Sequence, residues 1–230
     1  MRIYLAAAVL MGVNWLVFLL AVDSGQITQT SLGYFMSPLV NVFMGVVLLH
    51  ERLRAWQWFS VGLATTGVLY LTVSHGSLPW MALALAFSFG TYGLVKKVAA
   101  LGALPGLMLE TTILLPGALA YLVYCDLIGR GAFARGDAVS SWLMIGTGLV
   151  SMTPLLLFAF AAQRIPLARL GFLQYLTPTM QLLLGTLLYR EPFGHHSLIG
   201  FGMVWVALLG FGVEGFVARP ARQKDGSALP

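Results

Sequence analysis

Long apolar runs alternate with short polar stretches along nearly the whole chain. Charged residues divide the runs into eight segments, at residues 3–22, 31–49, 56–74, 77–95, 104–125, 139–161, 170–189 and 196–216. Each segment is close to the roughly 20 residues that an α-helix needs to cross the hydrocarbon core, where a helix satisfies its own backbone hydrogen bonds. The pattern therefore predicts an all-α integral membrane protein with eight transmembrane helices.

Composition agrees with that prediction, since 59% of the 230 residues are hydrophobic and only 9% are charged. A soluble core could not bury so much apolar surface. The first run resembles a secretory signal, but residues 3–22 are long enough to span a bilayer, which favours a retained helix. Residues 218–230 are predicted to form a short polar tail.

The basic residues lie in short loops beside the apolar runs, so the formal charge of +5 indicates membrane topology and not nucleic-acid binding. If the N-terminus is cytoplasmic, ten of the thirteen basic residues share that side: Arg2, Arg52, Arg54, Lys96, Lys97, Arg164, Arg169, Arg219, Arg222 and Lys224. Arg130, Arg135 and Arg190 face the other side. The positive-inside rule then predicts that both termini are cytoplasmic.

An internal repeat links the second and seventh segments. With a shift of 140 residues, Tyr34, Pro38, Asn41, Gly45 and Glu51 correspond to Gln174, Pro178, Gln181, Gly185 and Glu191. The shift from the second to the seventh helix is five helices, an odd number, so the two copies must run through the membrane in opposite directions. Inverted repeats are a recurrent plan of secondary transporters, because exchanging the conformations of two similar halves reverses the accessible side.

Several short runs carry a family resemblance: SLGYF at 31–35, SPLVN at 37–41, GSLP at 76–79, AFSF at 86–89, YGLV at 92–95 and LGF at 170–172. Together they resemble the RarD branch of the EamA-type drug/metabolite transporters. The resemblance implies a fold of ten helices in two inverted five-helix repeats (5+5), in which the first helix here corresponds to the family's third. Residues 1–75 would then be a partial first repeat of three helices, and residues 76–217 a complete second repeat. The missing helices are expected to reflect a fragment, a misplaced start or a truncated relative that needs a partner.

Two polar stripes are candidates for a substrate cavity. Tyr34, Pro38, Asn41 and Gly45 share one helix face, as do Gln174, Pro178, Gln181 and Gly185. Proline frees a carbonyl and glycine admits a close backbone, so both stripes combine amides with irregular backbone at membrane depth. The alternative is that the amides join helices by hydrogen bonds and the glycines form a packing seam.

Further cavity candidates are Asn14, Trp15 and Phe18 on the first helix, Tyr92 on the fourth and Phe158 on the sixth. The resemblance places the first helix, and with the same standing Tyr92 and Phe158, along the central cavity. An aromatic cavity with few charges would favour a small amphipathic or aromatic molecule. Ordinary packing is the alternative for each aromatic residue.

Glu110 is the only acidic residue well inside a predicted span, which makes it a candidate for proton coupling. It also lies near the cytoplasmic end, where Lys96 or Lys97 could pair with it.

Several other residues are expected to have structural roles. Glu51 and Glu191 are expected to pair with neighbouring arginines and to mark helix ends. His195 and His196 are expected to form a polar helix entrance, not a metal site. The single cysteine, Cys125, excludes a disulfide within the chain.

The function predicted is secondary transport, with export of drugs or metabolites driven by the proton gradient as the resemblance implies. Since the chain lacks H-E-x-x-H, G-x-S-x-G and Gly-rich phosphate motifs, a membrane enzyme is the weaker alternative, and we predict no catalytic residue, metal or cofactor. A third alternative is an accessory subunit without activity of its own. The expected partners are a small-molecule substrate and the lipid bilayer of the bacterial inner membrane, with protons and a second copy of the chain as further candidates.

Overall fold

The computed structural model describes residues 1–74, 79–129, 131, 138–183 and 195–217. Within these ranges the chain forms nine α-helices: α1 Arg2–Asp23, α2 Ile27–Val47, α3 Ala55–Ser74, α4 Trp80–Val98, α5 Ala103–Leu127, α6 Ala138–Arg164, α7 Leu167–Gln174, α8 Leu176–Leu183 and α9 His195–Val217. The predicted all-α class is therefore confirmed, and each of the eight predicted segments overlaps helical structure.

The seventh predicted segment is divided between two helices, α7 and α8. Pro178 has no N–H for the Gln174 carbonyl and its ring crowds that carbonyl, which disfavours a continuous helix at the point where α7 ends. The Tyr175 N–H donates instead to the Phe172 carbonyl at 3.2 Å, and the Thr179 N–H donates to Tyr175 at 3.2 Å as α8 begins. The equivalent Pro38, in contrast, lies inside the continuous helix α2.

Four helical stretches among the described residues are long and apolar enough to cross a membrane: Arg2–Asp23, Thr30–Val47, Ala103–Leu127 and Ser141–Arg164. Large apolar side chains such as Leu149 and Val150 on α6 are exposed, as expected of a surface that faces lipid. The protein is thus an α-helical membrane protein, whereas the count of eight crossings stays a prediction.

Several exposed tryptophan and tyrosine residues lie near helix ends. Trp56 and Trp58 are at the start of α3, while Tyr121 and Tyr124 near the end of α5 accompany Trp142 near the start of α6. Tryptophan and tyrosine concentrate at both membrane interfaces, because their rings are apolar but carry a polar group. Their positions agree with helices that cross the bilayer.

Helix α2 occupies the centre of the bundle, between α4 and α7, while α1 packs on α4 and α5, and α6 packs on α4. Apolar side chains from α2, α3 and α9 form the largest buried cluster, which also contains Tyr175 from the turn between α7 and α8. The centre of the bundle is thus built from the helices that carry the internal repeat.

Equivalent helices of the two repeats pack against each other in opposite directions. A Cβ on Gly45, near the end of α2, would lie 3.2 Å from the Ala168 nitrogen at the start of α7. Arg54, just before α3, lies 3.6 Å from Glu214 near the end of α9. Both pairs, α2 with α7 and α3 with α9, are therefore antiparallel, which is the relation that an inverted repeat requires.

Candidate functional site

A cavity of about 400 Å³ lies between α1, α2, α4 and α6. Its walls are mostly apolar and aromatic, with three hydroxyl residues, one amide and a tyrosine, and none of the described residues that line it is charged. The lining residues are Met11, Asn14, Trp15, Phe18, Thr30, Gly33, Tyr34, Ser37, Leu85, Phe89, Ser151, Pro154 and Leu155. Such a site suits an uncharged molecule with a substantial apolar surface.

The cavity occupies one half of the bundle. Its residues come from the middle and second half of α1, the first half of α2 and the first half of α4, together with the middle of α6. It therefore lies toward the end of the bundle where α1 ends and α2 and α4 begin.

Asn14 supplies the amide of the cavity, as predicted from the sequence. Its Nδ2 donates to the Leu85 carbonyl at 3.1 Å and to Ser88 Oγ at 2.8 Å. The Leu85 carbonyl can only accept, so the orientation of the amide is fixed and its nitrogen must face α4. Asn14 Oδ1 remains as the acceptor that a bound molecule could use.

Trp15 and Tyr34, two further predicted residues, also line the cavity. Tyr34 is 40% exposed, and its ring lies 6.5 Å from that of Phe18 between centroids. These rings offer flat apolar surface beside a phenol hydroxyl, which suits an aromatic molecule with a polar group.

Asn41 and Gln174, predicted from the two stripes, meet each other away from the cavity lining. Asn41 Nδ2 donates to Gln174 Oε1 at 2.5 Å, and Asn41 is fully buried. Its Oδ1 has no hydrogen-bond partner within the described residues. Pro38 is beside this pair, since a Cβ on Gly171 would lie 2.5 Å from the Pro38 carbonyl. In this structure the two amides join α2 to the end of α7 by a hydrogen bond, and their predicted role in lining a cavity stays a prediction.

The remaining members of the second stripe are only partly described. Pro178 is buried in α8 just after the helix break. The side chain of Gln181 and the whole of Gly185 lie outside the described residues. Gly45, the glycine of the first stripe, packs against the Glu51 carboxylate.

Tyr92 lies beneath the cavity, in a layer that it forms with Phe89 and Phe158. The Phe89 and Phe158 centroids are 4.9 Å apart, and that of Tyr92 is 6.1 Å from each. Phe89 faces the cavity, whereas Tyr92 is fully buried. The layer therefore borders the cavity through Phe89, on the side away from the start of α4.

A buried ion pair lies on the far side of that layer. Lys96 Nζ donates to Glu110 Oε1 at 2.8 Å, and the Tyr92 hydroxyl donates to Glu110 Oε2 at 3.1 Å. Both charged residues are nearly inaccessible. Lys97 instead donates to the Ile165 carbonyl at 2.6 Å. Of the two partners anticipated for Glu110, the structure selects Lys96.

The prediction for the partner of Glu51 was wrong. This residue was predicted to pair with a neighbouring arginine, but its two carboxylate oxygens accept hydrogen bonds from the backbone nitrogens of Leu167 and Ala168, while Arg54 lies beside Glu214. A backbone partner more than a hundred residues away leaves no signature in the sequence. Sequence reasoning also did not assign Phe89 or Ser151 to the cavity, because both resemble ordinary helix-packing residues.

Comparisons with known proteins give the family. A model of the EamA-like transporter family matches residues 1–73 and 78–213. The chain is 41% identical over 218 residues to Protein RarD of Escherichia coli, covering 95% of this chain and 74% of that protein. It is 42% identical over 203 residues to Protein RarD of Streptomyces exfoliatus, covering 88% of this chain but only 64% of that relative.

Two further relatives carry other names. The Bacillus subtilis protein described as uncharacterized transporter YojE is 42% identical over 206 residues, covering 89% of this chain and 68% of that protein. A Pseudomonas aeruginosa protein named chloramphenicol-sensitive protein RarD is 30% identical over 203 residues, covering 88% of this chain and 67% of that relative. From its sequence and these relatives, the chain belongs to the EamA-like transporter family and to its RarD branch.

Proposed function

We propose that the chain is a secondary transporter of the bacterial inner membrane, which exports small amphipathic molecules by alternating access. The observation that carries this proposal is the cavity, which α1 and α2 of the first repeat form together with α4 and α6 of the second. Substrate sites of such transporters lie at the interface between repeats near the middle of the membrane, and this cavity extends from the middle of α4 and α6 toward one end of the bundle.

The direction in which the cavity faces follows from the charges. Lys96 and Lys97 end α4, and Arg164 ends α6, at the end of the bundle opposite the cavity. The positive-inside rule assigns that end to the cytoplasm, which makes both termini cytoplasmic. The cavity then lies in the outer half of the membrane, and the contacts between α2 and α7 close the inner half.

The chemistry of the cavity defines the substrate class. The lining residues that the structure describes carry no charge, so an ion among them would lose hydration without a compensating partner. Aromatic rings and the fixed Asn14 acceptor favour a neutral molecule that combines an apolar body with a hydroxyl or N–H donor. Chloramphenicol, which appears in the name of one relative, has this chemistry and is a suitable first probe.

The proton gradient is the proposed driving force, and Glu110 is the candidate coupling residue. Its carboxylate is bonded to Lys96 and Tyr92, so proton exchange would require this buried pair to separate during the cycle. An ion pair that stays closed throughout the cycle would leave Glu110 with a structural role only.

Uptake into inside-out vesicles tests the proposal. We expect labelled chloramphenicol, or another neutral aromatic alcohol in a panel, to accumulate when the vesicle interior is acidic, and charged analogues of the same compounds not to accumulate. Asn14→Leu should lower uptake, whereas Val13→Leu, which changes an exposed residue of the same helix outside the cavity, should not. Uptake equal to that of protein-free vesicles for every compound would contradict the proposal.

A further inference from the structure

We infer that Glu51 holds the two repeats together at their inner end, and that it must release α7 before the cavity can open to the cytoplasm. The inference rests on the proposed alternating-access function and assigns a positioning role to a residue outside the cavity. We call the two hydrogen bonds from Leu167 and Ala168 to this carboxylate the Glu51–α7 contact.

The geometry of the contact is that of a helix cap supplied from a distant part of the chain. Glu51 Oε1 accepts from the Leu167 nitrogen at 2.6 Å, and Oε2 accepts from the Ala168 nitrogen at 2.9 Å. The N-cap of α7 is Pro166, which makes no side-chain cap, and the first turn contains no acidic residue. Glu51 therefore satisfies two otherwise unpaired N–H groups at the positive end of the helix dipole.

The chain around Glu51 is built to direct the carboxylate toward α7. The Glu51 nitrogen donates to the Gly45 carbonyl at 2.9 Å, and His50 has a left-handed φ of 54°. Gly45 leaves the necessary space, because a Cβ there would lie only 2.7 Å from Glu51 Oε2. Gly45 thus allows the Glu51 carboxylate to reach α7, and both residues belong to the internal repeat.

The position of the contact connects it to the transport cycle. Glu51 follows α2 of the first repeat, and α7 belongs to the second. The contact lies at the end of α2 opposite the cavity. The hydrogen bond that joins Asn41 to Gln174 lies between the contact and the cavity. Opening the inner half of the membrane requires the end of α2 to separate from the start of α7, which breaks the Glu51–α7 contact first.

Spin-label distances test the inference. Labels are attached at Leu48, an exposed residue at the end of α2, and at Arg169, an exposed residue on α7, in a Cys125→Ala background reconstituted in nanodiscs. We expect Glu51→Gln and Gly45→Ala each to raise the ratio of the long-distance to the short-distance population by about tenfold or more. Glu51→Gln loses the charge and one of the two acceptors, and the methyl group of Gly45→Ala displaces the carboxylate from α7.

Two matched variants control for changes unrelated to the contact. Asp23→Asn removes an exposed carboxylate at the opposite end of the bundle, and Gly62→Ala adds a methyl group where no atom lies within 4 Å. Both should keep the wild-type distance distribution. If Glu51→Gln does not fold, Glu51→Asp gives the same comparison with the charge retained, because its shorter side chain stretches both hydrogen bonds.

Unchanged distances in Glu51→Gln and Gly45→Ala, even with a lower unfolding temperature, would overturn the inference, because a static cap stabilises every state equally. This outcome is distinct from failure of the transport proposal, which the vesicle uptake of the wild-type protein decides independently. If the wild-type protein takes up substrate but the variants leave the distances unchanged, the transport proposal stands and the proposed role of Glu51 is rejected.

Discussion

Among single residues, Asn14 has the clearest chemical role in the cavity. Its nitrogen is fixed by two acceptors on α4, so the amide cannot rotate to offer a donor without losing both bonds. Molecules that carry a hydroxyl should therefore bind more tightly than their methyl ethers. We expect Asn14→Leu to abolish this difference, which should be about three- to tenfold for a neutral hydrogen bond.

Titration of purified protein with 4-nitrobenzyl alcohol and its methyl ether measures that difference directly. Val13→Leu should keep the wild-type preference for the alcohol. Equal affinities for the two compounds in the wild-type protein would show that Asn14 Oδ1 does not receive a bond from the ligand.

The pair of Lys96 and Glu110 gives a second prediction at this scale. Glu110→Gln leaves the Lys96 ammonium buried without a counter-charge, and breaking a buried pair in this way costs about 3–5 kcal/mol. We expect a marked fall in thermal stability in detergent. The double variant Lys96→Met with Glu110→Gln should recover most of it, since glutamine can still accept from Tyr92 and no lone charge remains.

The pH dependence of uptake separates the two roles of Glu110. If the double variant is stable and keeps the wild-type response to a pH gradient, the carboxylate is structural and proton coupling through it is excluded. A stable variant that has lost this response would instead assign coupling to Glu110.

Lys96 could have been preferred over Lys97 from the sequence, because Lys96 is four residues after Tyr92 and shares its helix face. The partner of Glu51 could not have been found in that way. Its donors are backbone N–H groups at a helix start, and every residue except proline carries such a group. Residue types therefore predict a side-chain pair much better than a bond to the backbone.

At the level of helices, the crossing of α2 and α7 depends on Gly171. A Cβ at this position would lie 2.5 Å from the Pro38 carbonyl and 3.2 Å from Asn41 Cβ, and neither neighbour is the end of a flexible side chain. We expect Gly171→Ala to destabilise the protein by about 1–3 kcal/mol, as overpacking a buried contact does. Gly212→Ala on α9, where no atom lies within 4 Å, is the matched control in thermal unfolding. Equal stability of the two variants would mean that α2 and α7 accommodate the added methyl group without loss of stability.

Helix positions were predictable because apolar length and charge alone determine which segments can lie in a membrane. The break at Tyr175 was not predicted, although Pro178 was identified. Pro38 occupies the equivalent position in α2 without breaking it, so proline alone does not decide the outcome. The packing of each helix against its neighbours decides whether the freed carbonyl ends the helix or only interrupts one hydrogen bond, and a single sequence does not contain that information.

For the whole molecule, the proposed alternating access concerns the polar stripe on α2, formed by Tyr34, Pro38, Asn41 and Gly45, which we call the α2 stripe. Its Tyr34 end should become less accessible when the part that contains Asn41 becomes more accessible. Tyr34 lines the cavity and is 40% exposed, whereas Asn41 is fully buried beneath it. In a Cys125→Ala background, Tyr34→Cys should react with an impermeant maleimide from the outer side, and Asn41→Cys only from the cytoplasmic side. Glu51→Gln should slow the first reaction and speed the second. If Glu51→Gln speeds the maleimide reactions of both Tyr34→Cys and Asn41→Cys, the α2 stripe loosens as a unit. The two repeats then do not exchange the side from which the cavity is reached.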